Sequence, residues 1–292
     1  ERRLKENPEY VDQMLEWAKQ YNEEYQRVRK IKPGDAVLDI GCNAGFLILS
    51  LSKVIKSGYG FDINPYLIEI ANIVKNHLNI FAFKESVQTG RPIKEMEAQM
   101  TRLPEWFEYY ASLIRSKVDT CLPFKGDFVN YVKREPLGVV AQITPWNHPL
   151  LISIKKLAPA IAAGNSVVIK PSELAPCSIL EFVKLCESSG LPKGVINVIT
   201  GYGPTTGKYL CNDPRISKID FTGGTDTGRI IGEMAGRNIT GMISELGGKS
   251  PMIVFNDVDI EDVVNGTVFG SFIASGQTCI AGSRLLIQED IY

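Results

Sequence analysis

Between residues 8 and 30 apolar side chains recur every three or four positions, at Val11, Met14, Leu15, Ala18, Tyr21, Tyr25 and Val28. That period predicts an amphipathic helix, with Pro8 in a first turn that tolerates it and Pro33-Gly34 beyond its end. A short apolar run at 36–40 enters the loop Gly41-Cys42-Asn43-Ala44-Gly45, and a helical pattern covers 46–54. A second run at 59–61 ends in Asp62, and 65–77 reads as another helix. The rhythm then changes. Residues 88–115 read as one long helical region with Trp106, Phe107, Tyr109, Tyr110 and Leu113 as its apolar face. Extended runs at 117–123 and 128–133 flank Phe124-Lys125-Gly126-Asp127, a hairpin pattern. Apolar strands follow at 138–143, 166–169, 195–199, 218–221 and 242–246, with helical patterns between them at 150–163, 178–189, 205–211 and 227–235. Strands alternating with helices predict an α/β fold: a Rossmann-like parallel sheet with helices on both faces and ligands at the carboxyl ends of the strands.

Composition narrows the classes. The 292 residues, 44% hydrophobic and 22% charged, suffice for one large or two modest domains and argue against disorder. With 32 Lys plus Arg against 33 Asp plus Glu, the net charge of -1 gives no electrostatic case for nucleic acid or an anionic membrane as partner. The two histidines, His77 and His148, cannot build a His-rich metal site, so no metal is expected and acid/base work falls to carboxylate or lysine. Six cysteines, Cys42, Cys121, Cys177, Cys186, Cys211 and Cys279, contain no Cys-x-x-Cys pair, which suits a reducing, cytoplasmic setting. The N-terminus is charged, and Lys155 and Lys156 interrupt the longest apolar candidate for a membrane span. The chain has no initiating Met and is expected to start inside a longer one.

The order strand, glycine loop, helix, strand, acid over the first 80 residues can make a nucleoside site, since glycines admit close backbone approach and a terminal acid accepts from ribose hydroxyls. The run Val37-Leu38-Asp39-Ile40-Gly41-Cys42-Asn43-Ala44-Gly45-Phe46 with Tyr59-Gly60-Phe61-Asp62 resembles the first two motifs of class I S-adenosylmethionine-dependent methyltransferases. The resemblance implies at most half an S-adenosylmethionine site, at Asp39, Gly41, Gly45 and Asp62.

The strand ends beyond residue 138 carry the rest. Strand 138–143 runs into Thr144-Pro145-Trp146-Asn147-His148-Pro149, where Asn147 either donates to a developing oxyanion or satisfies backbone in a Pro-bounded turn. Lys170-Pro171-Ser172-Glu173 offers groups that can reach ribose hydroxyls, or a solvated charge pair. Thr222-Gly223-Gly224-Thr225-Asp226-Thr227-Gly228 opens a helix and can cradle a pyrophosphate, although it is not a Gly-x-Gly-x-x-Gly fingerprint. Glu245-Leu246-Gly247-Gly248-Lys249 follows, and then Gly276-Gln277-Thr278-Cys279 among small residues, where a thiol is either reactive or inert.

These five motifs, in one order at consistent spacing over residues 82–292, resemble the NAD(P)-dependent aldehyde dehydrogenase superfamily. The resemblance implies oxidation of an aldehyde to a carboxylic acid. Cys279 would be the nucleophile, Asn147 and the Cys279 N–H the oxyanion donors, and Glu245 the base that activates water. It implies cofactor contacts from Ile143, Thr144, Pro145, Trp146, Lys170, Glu173, Gly203, Gly207, Phe221, Gly223, Gly224, Thr225, Glu245, Leu246 and Gly247. The Glu173 carboxylate would repel a 2'-phosphate, so NAD is preferred over NADP. His148 is implied to be a loop residue and not a base. The hairpin 117–133 matches the family's subunit-bridging strands and implies a homo-oligomer.

The expected organisation is a methyltransferase-like segment at 1–80, an NAD-binding domain at 81–246 and the start of a catalytic domain at 247–292. Neither segment matches its family in full: the chain ends 13 residues beyond Cys279, without the later glutamate motif that grips the nicotinamide ribose. The reading is therefore a junction of two incomplete segments, with poor or absent turnover expected from this chain. A methyltransferase and an inactive chimera with residual nucleotide binding are the alternatives.

Overall fold

The structure is a computed structural model and describes residues 36–40, 57–61, 63–122, 126 and 130–292. Strands β1 (Ala36–Ile40) and β2 (Ser57–Phe61) pair in parallel, Asp39 opposite Gly60. The helices predicted at 8–30 and 46–54 lie outside the described residues, as do Gly41, Gly45 and Asp62.

Four helices come next: α1 (Ile63–Asn76), α2 (Leu78–Thr89), α3 (Ile93–Thr101) and α4 (Pro104–Ser116). The single helix predicted over 88–115 is in fact broken into the last turn of α2, α3 and α4, and local chemistry gives the reason. Gly90 takes the left-handed conformation (φ 72°) and donates its N–H to the Ser86 carbonyl at 2.9 Å, closing α2, while Pro92 and Pro104 start the next two helices. The inner face of α4 is Phe107 and Ala111, with Trp106, Tyr110 and Ile114 packed beside them; Tyr109, expected on that face, is 60% exposed. The helix predicted at 65–77 forms as α1, but its Leu67, Ile70, Ala71 and Val74 are buried in one core with α4 and the helices that cover the sheet. Ion pairing of Lys75 with Glu108 adds to that contact. The α/β body thus begins ahead of residue 81.

A short antiparallel hairpin, β3 (Thr120–Leu122) and β4 (Asn130–Val132), pairs Thr120 with Val132 where the hairpin was predicted. The body then alternates β5 (Val139–Ile143), α5 (Pro149–Ala162), β6 (Ser166–Lys170), α6 (Cys177–Cys186), β7 (Ile196–Val198), α7 (Lys208–Asn212), β8 (Ile216–Gly223), α8 (Thr225–Asn238) and β9 (Gly241–Leu246). All five strands are parallel, in the order β7-β6-β5-β8-β9. Side-chain alternation divides the core between two faces. On β6, Val167 and Ile169 join the cluster of α1, α4, α5 and α6, while Val168 faces the cluster holding Leu210 of α7 and Ile231 and Ala235 of α8. Every residue of β5 and β6 is buried, but edge strand β9 is largely exposed.

Beyond the sheet, β10 (Ser250–Val254) and β11 (Gly282–Ile287) form a separate parallel pair joined through α9 (Ile260–Phe272), a unit the pattern did not predict. No helix among the described residues is long and apolar enough to cross a membrane, and among them no cluster of His, Cys, Asp and Glu suits a metal ion.

Candidate functional site

The sheet order reverses between β5 and β8: from β5 the chain builds outward to β6 and β7, then returns to place β8 on its other side. A crevice at the carboxyl ends of the strands is expected at such a point. A cleft of about 700 Å³ opens there. Its wall contains Asn147 from the loop after β5, Glu245 near the end of β9 and Cys279 from the loop between α9 and β11, together with Trp146, Gly223 and Gly224. Three chain segments, the outer two more than a hundred residues apart in sequence, thereby share one space.

Local chemistry sets each segment. Pro149 in the first turn of α5 fixes where the loop after β5 ends, with His148 at the cap position. Asn147 Nδ2 donates to the Gln277 carbonyl at 2.7 Å, so the amide satisfies backbone, but of the cysteine loop rather than of its own turn. Asp259 caps α9 by accepting from the Glu261 and Asp262 N–H groups at 2.8 and 3.2 Å. After α9, Ala274 (φ 57°), Ser275 (φ 55°) and Gly276 (φ 71°) turn left-handed in succession, which costs on the order of 1 kcal/mol at each non-glycine. Glu95 of α3 accepts the Ala274 N–H at 3.0 Å and so holds the turn in place.

Glu95 belongs to a buried polar group that sequence separation hid. Arg91 is 4% exposed; its Nη1 donates to Gln99 Oε1 at 2.8 Å and to His148 Nδ1 at 2.7 Å, and its Nη2 pairs with Glu95 at 3.4 Å. Burial, with Arg91 and Lys155 nearby, pushes the His148 pKa down to about 4, so the ring is neutral. Since Arg91 can only donate, Nδ1 accepts and the proton sits on Nε2. Behind this group, Glu85 accepts from Ser178 Oγ and from the Leu150 N–H, and burial raises its pKa to about 7.

The thiols differ in environment. Cys279 and Cys177 are exposed, whereas burial pushes Cys211 up to about 12 and Cys186 higher still.

Lys170, Glu173, Gly203 and Gly207 group away from the cleft's thiol, at the end of β6. Ile143 is the Cα partner of Lys170, and the Thr144 N–H reaches the Lys170 carbonyl at 3.2 Å. Lys170 is buried and pairs with Glu173 at 3.6 Å; burial holds it below its ordinary value, and Glu173 opposes that shift. A Cβ on Gly207 would lie 3.5 Å from Lys170 Cδ, so the turn at Gly203–Gly207 packs against the lysine stem. At the end of β8 a Cβ on Gly223 would strike the Phe221 ring at 2.5 Å, while Gly224, which precedes α8 and Thr225, has open space beside it. Pro145, Trp146, Gly223, Gly224, Glu245, Leu246 and Gly247 all line the cleft, whereas Ile143, Thr144 and Phe221 are buried beneath its floor. Of the four residues read as half an S-adenosylmethionine site, only Asp39 is described, on β1.

A doubly wound parallel sheet with an exposed thiol, an amide and a carboxylate around the crevice at its switch point defines a nucleotide-fold enzyme class with a cysteine at its centre. The family described as "Aldehyde dehydrogenase family" matches residues 63–292, and the chain belongs to that family. A betaine aldehyde dehydrogenase 1 of Oryza sativa subsp. japonica is 45% identical over 231 residues, covering 77% of this chain and 46% of the relative. Human retinal dehydrogenase 2 is 38% identical over 270 residues, covering 91% of this chain and 52% of its own. That span is longer than residues 63–292, so it reaches into the N-terminal segment. Among solved structures, a betaine aldehyde dehydrogenase from Staphylococcus aureus in complex with NAD+ superposes with a TM-score of 0.76 at 38% identity, covering 78% of this chain and 46% of that one. The chain spans about half the length of the curated relatives it matches. The methyltransferase alternative finds no support in these likenesses, which place α1 and all that follows in the dehydrogenase family.

Proposed function

We propose that this cleft oxidises an aldehyde to a carboxylic acid with NAD. The observation that carries the reading is the meeting of Cys279, Asn147 and Glu245 around one crevice, with the Asn147 amide bonded to the backbone two residues before the thiol. As thiolate, Cys279 attacks the aldehyde carbon; a C–S bond forms, the C=O electron pair moves to oxygen, and a thiohemiacetal results. A second Asn147 N–H and the Cys279 N–H hold that oxygen. A nicotinamide cofactor held at this crevice would supply the hydride acceptor for oxidation of the Cys279 adduct to the thioester level. Glu245 then takes a proton from water, whose oxygen adds to the thioester carbon and expels the thiolate with the acid.

The residues fit such a cofactor. Open space beside Gly224 at the start of α8 suits a pyrophosphate, and the Lys170–Glu173 pair at the end of β6, across β5 from β8, suits a ribose whose 2' position is free of phosphate. The β3–β4 hairpin, exposed at Tyr131 and Val132, suits a strand contact between copies of the chain. The test is covalent. With NAD and an aldehyde, Glu245→Gln should accumulate the acyl mass on the Cys279 peptide. An unmodified Cys279 with every aldehyde tried would overturn the reading.

A further inference from the structure

The charges around the cleft balance in number but not in pairing. Four charged side chains line it: Lys155, Lys156, Asp220 and Glu245. Lys156 and Asp220 are ion-paired with each other in the cleft wall, the lysine buried. Glu245 is the carboxylate already assigned to water. Lys155 remains, and among the described residues no carboxylate lies within ion-pair distance of it. Its Nζ sits 5.2 Å from the centre of the Trp106 ring, a contact that orients an ammonium without neutralising it. Ile152 and Lys155, one turn apart on α5, present an apolar and then a cationic surface along the same wall that begins at Asn147 and His148. His148 cannot offset the charge, because an imidazole carries no negative charge in either protonation state.

We infer that the aldehyde taken by this cleft carries an anionic group, a carboxylate or phosphate a few carbons from the carbonyl, and that Lys155 is its specificity-determining contact. The inference rests on the proposed thiol chemistry and deepens it. The expected substrate differs in charge from betaine aldehyde, the quaternary ammonium compound for which some relatives are named. A cation reaching the Lys155 end of the cleft would meet an ammonium with no ion-pair partner of its own, and an anion would supply that partner.

Aldehyde adducts mask the thiol, so affinity can be read as protection of Cys279 from iodoacetamide in the full chain, without turnover. The probes are matched in length: 4-oxobutanoate, butanal and 4-(trimethylammonio)butanal. For the unaltered protein, 4-oxobutanoate should half-protect at a concentration roughly tenfold below butanal, with the cation weakest. Lys155→Met should bring the anion level with butanal, and Lys155→Glu should reverse the order. Affinity for NAD, read by quenching of protein fluorescence, should persist in Lys155→Met; its loss would assign the lysine to a cofactor phosphate and overturn the proposal. Equal protection by all three aldehydes would overturn the proposal while leaving the thiol reading standing. Protection by none would remove the thiol reading and the proposal with it.

Discussion

Strands β5 and β6 and strand β9 belong to one sheet yet live in different environments. Every residue of the first two is buried between two helical layers, whereas β9 is exposed at all but one position, and α9 beyond it contains no buried residue. Asn147 and Lys170 are fixed at the ends of the densely packed strands. Glu245 and Cys279 come from the thinly packed side. The site lies where the two meet, so its geometry depends on a few ties across the join: Asn147 to Gln277, and Glu95 to Ala274. A rigid half can position donors, and a tied loop can present a thiol, provided the ties hold.

This contrast can be broken deliberately. The largest effect belongs in the dense half: Phe182→Ala, which empties a fully buried ring between Phe81 and Phe107, should cost about 3–5 kcal/mol in denaturant unfolding. Glu85→Gln comes second and depends on pH. The folded-state pKa of Glu85 is raised from 4.5 to about 7, so its contribution is full below 4.5 and is lost as pH rises to about 7. His148 runs the other way, its contribution present above 6.5 and lost as pH falls to about 4. Unfolding measured across that range should show Glu85→Gln gaining on the unaltered protein between pH 4.5 and 7 by on the order of 3 kcal/mol, with the acid-side slope from His148 retained. A constant offset would contradict the burial of Glu85.

Ala274→Gly should then stabilise the chain by roughly 0.5–1 kcal/mol, where alanine to glycine ordinarily destabilises, because the native backbone there is left-handed. The smallest effect belongs to the thin half: Phe269→Ala, at a ring 66% exposed, should change unfolding by about 0.5 kcal/mol or less. A loss comparable with Phe182→Ala would show that the two halves are packed alike.

The strands of the sheet were legible because each is a short apolar run bounded by glycine, proline or an acid, and the site loops because they stand at predictable strand ends. The breaks in 88–115 were not read from periodicity, which carried on through Gly90, Pro92 and Pro104; turn chemistry at those residues was the available signal. Parallel pairing of β10 with β11 has no local signature, because the two runs lie on either side of α9 and the cysteine loop. Arg91, Glu95 and Gln99 lie close in sequence, but nothing local points to the partners that tie them to the site, and only folding brings Arg91 to His148 or Glu95 to Ala274. The start of the body was misplaced for a related reason: α1 follows a strand and an acid in sequence, but its apolar face is spent on α4 and the sheet helices.

The central claim, that the thiol in the crevice is the reacting group and that the crevice also receives NAD, is tested most directly by the iodoacetamide rate at each cysteine, resolved by peptide mass spectrometry with and without NAD. Cys279 should react faster than Cys177, the other exposed thiol described, with Cys186 and Cys211 slowest, and NAD should change the Cys279 rate alone. Equal rates at Cys279 and Cys177, unaltered by NAD, would contradict it.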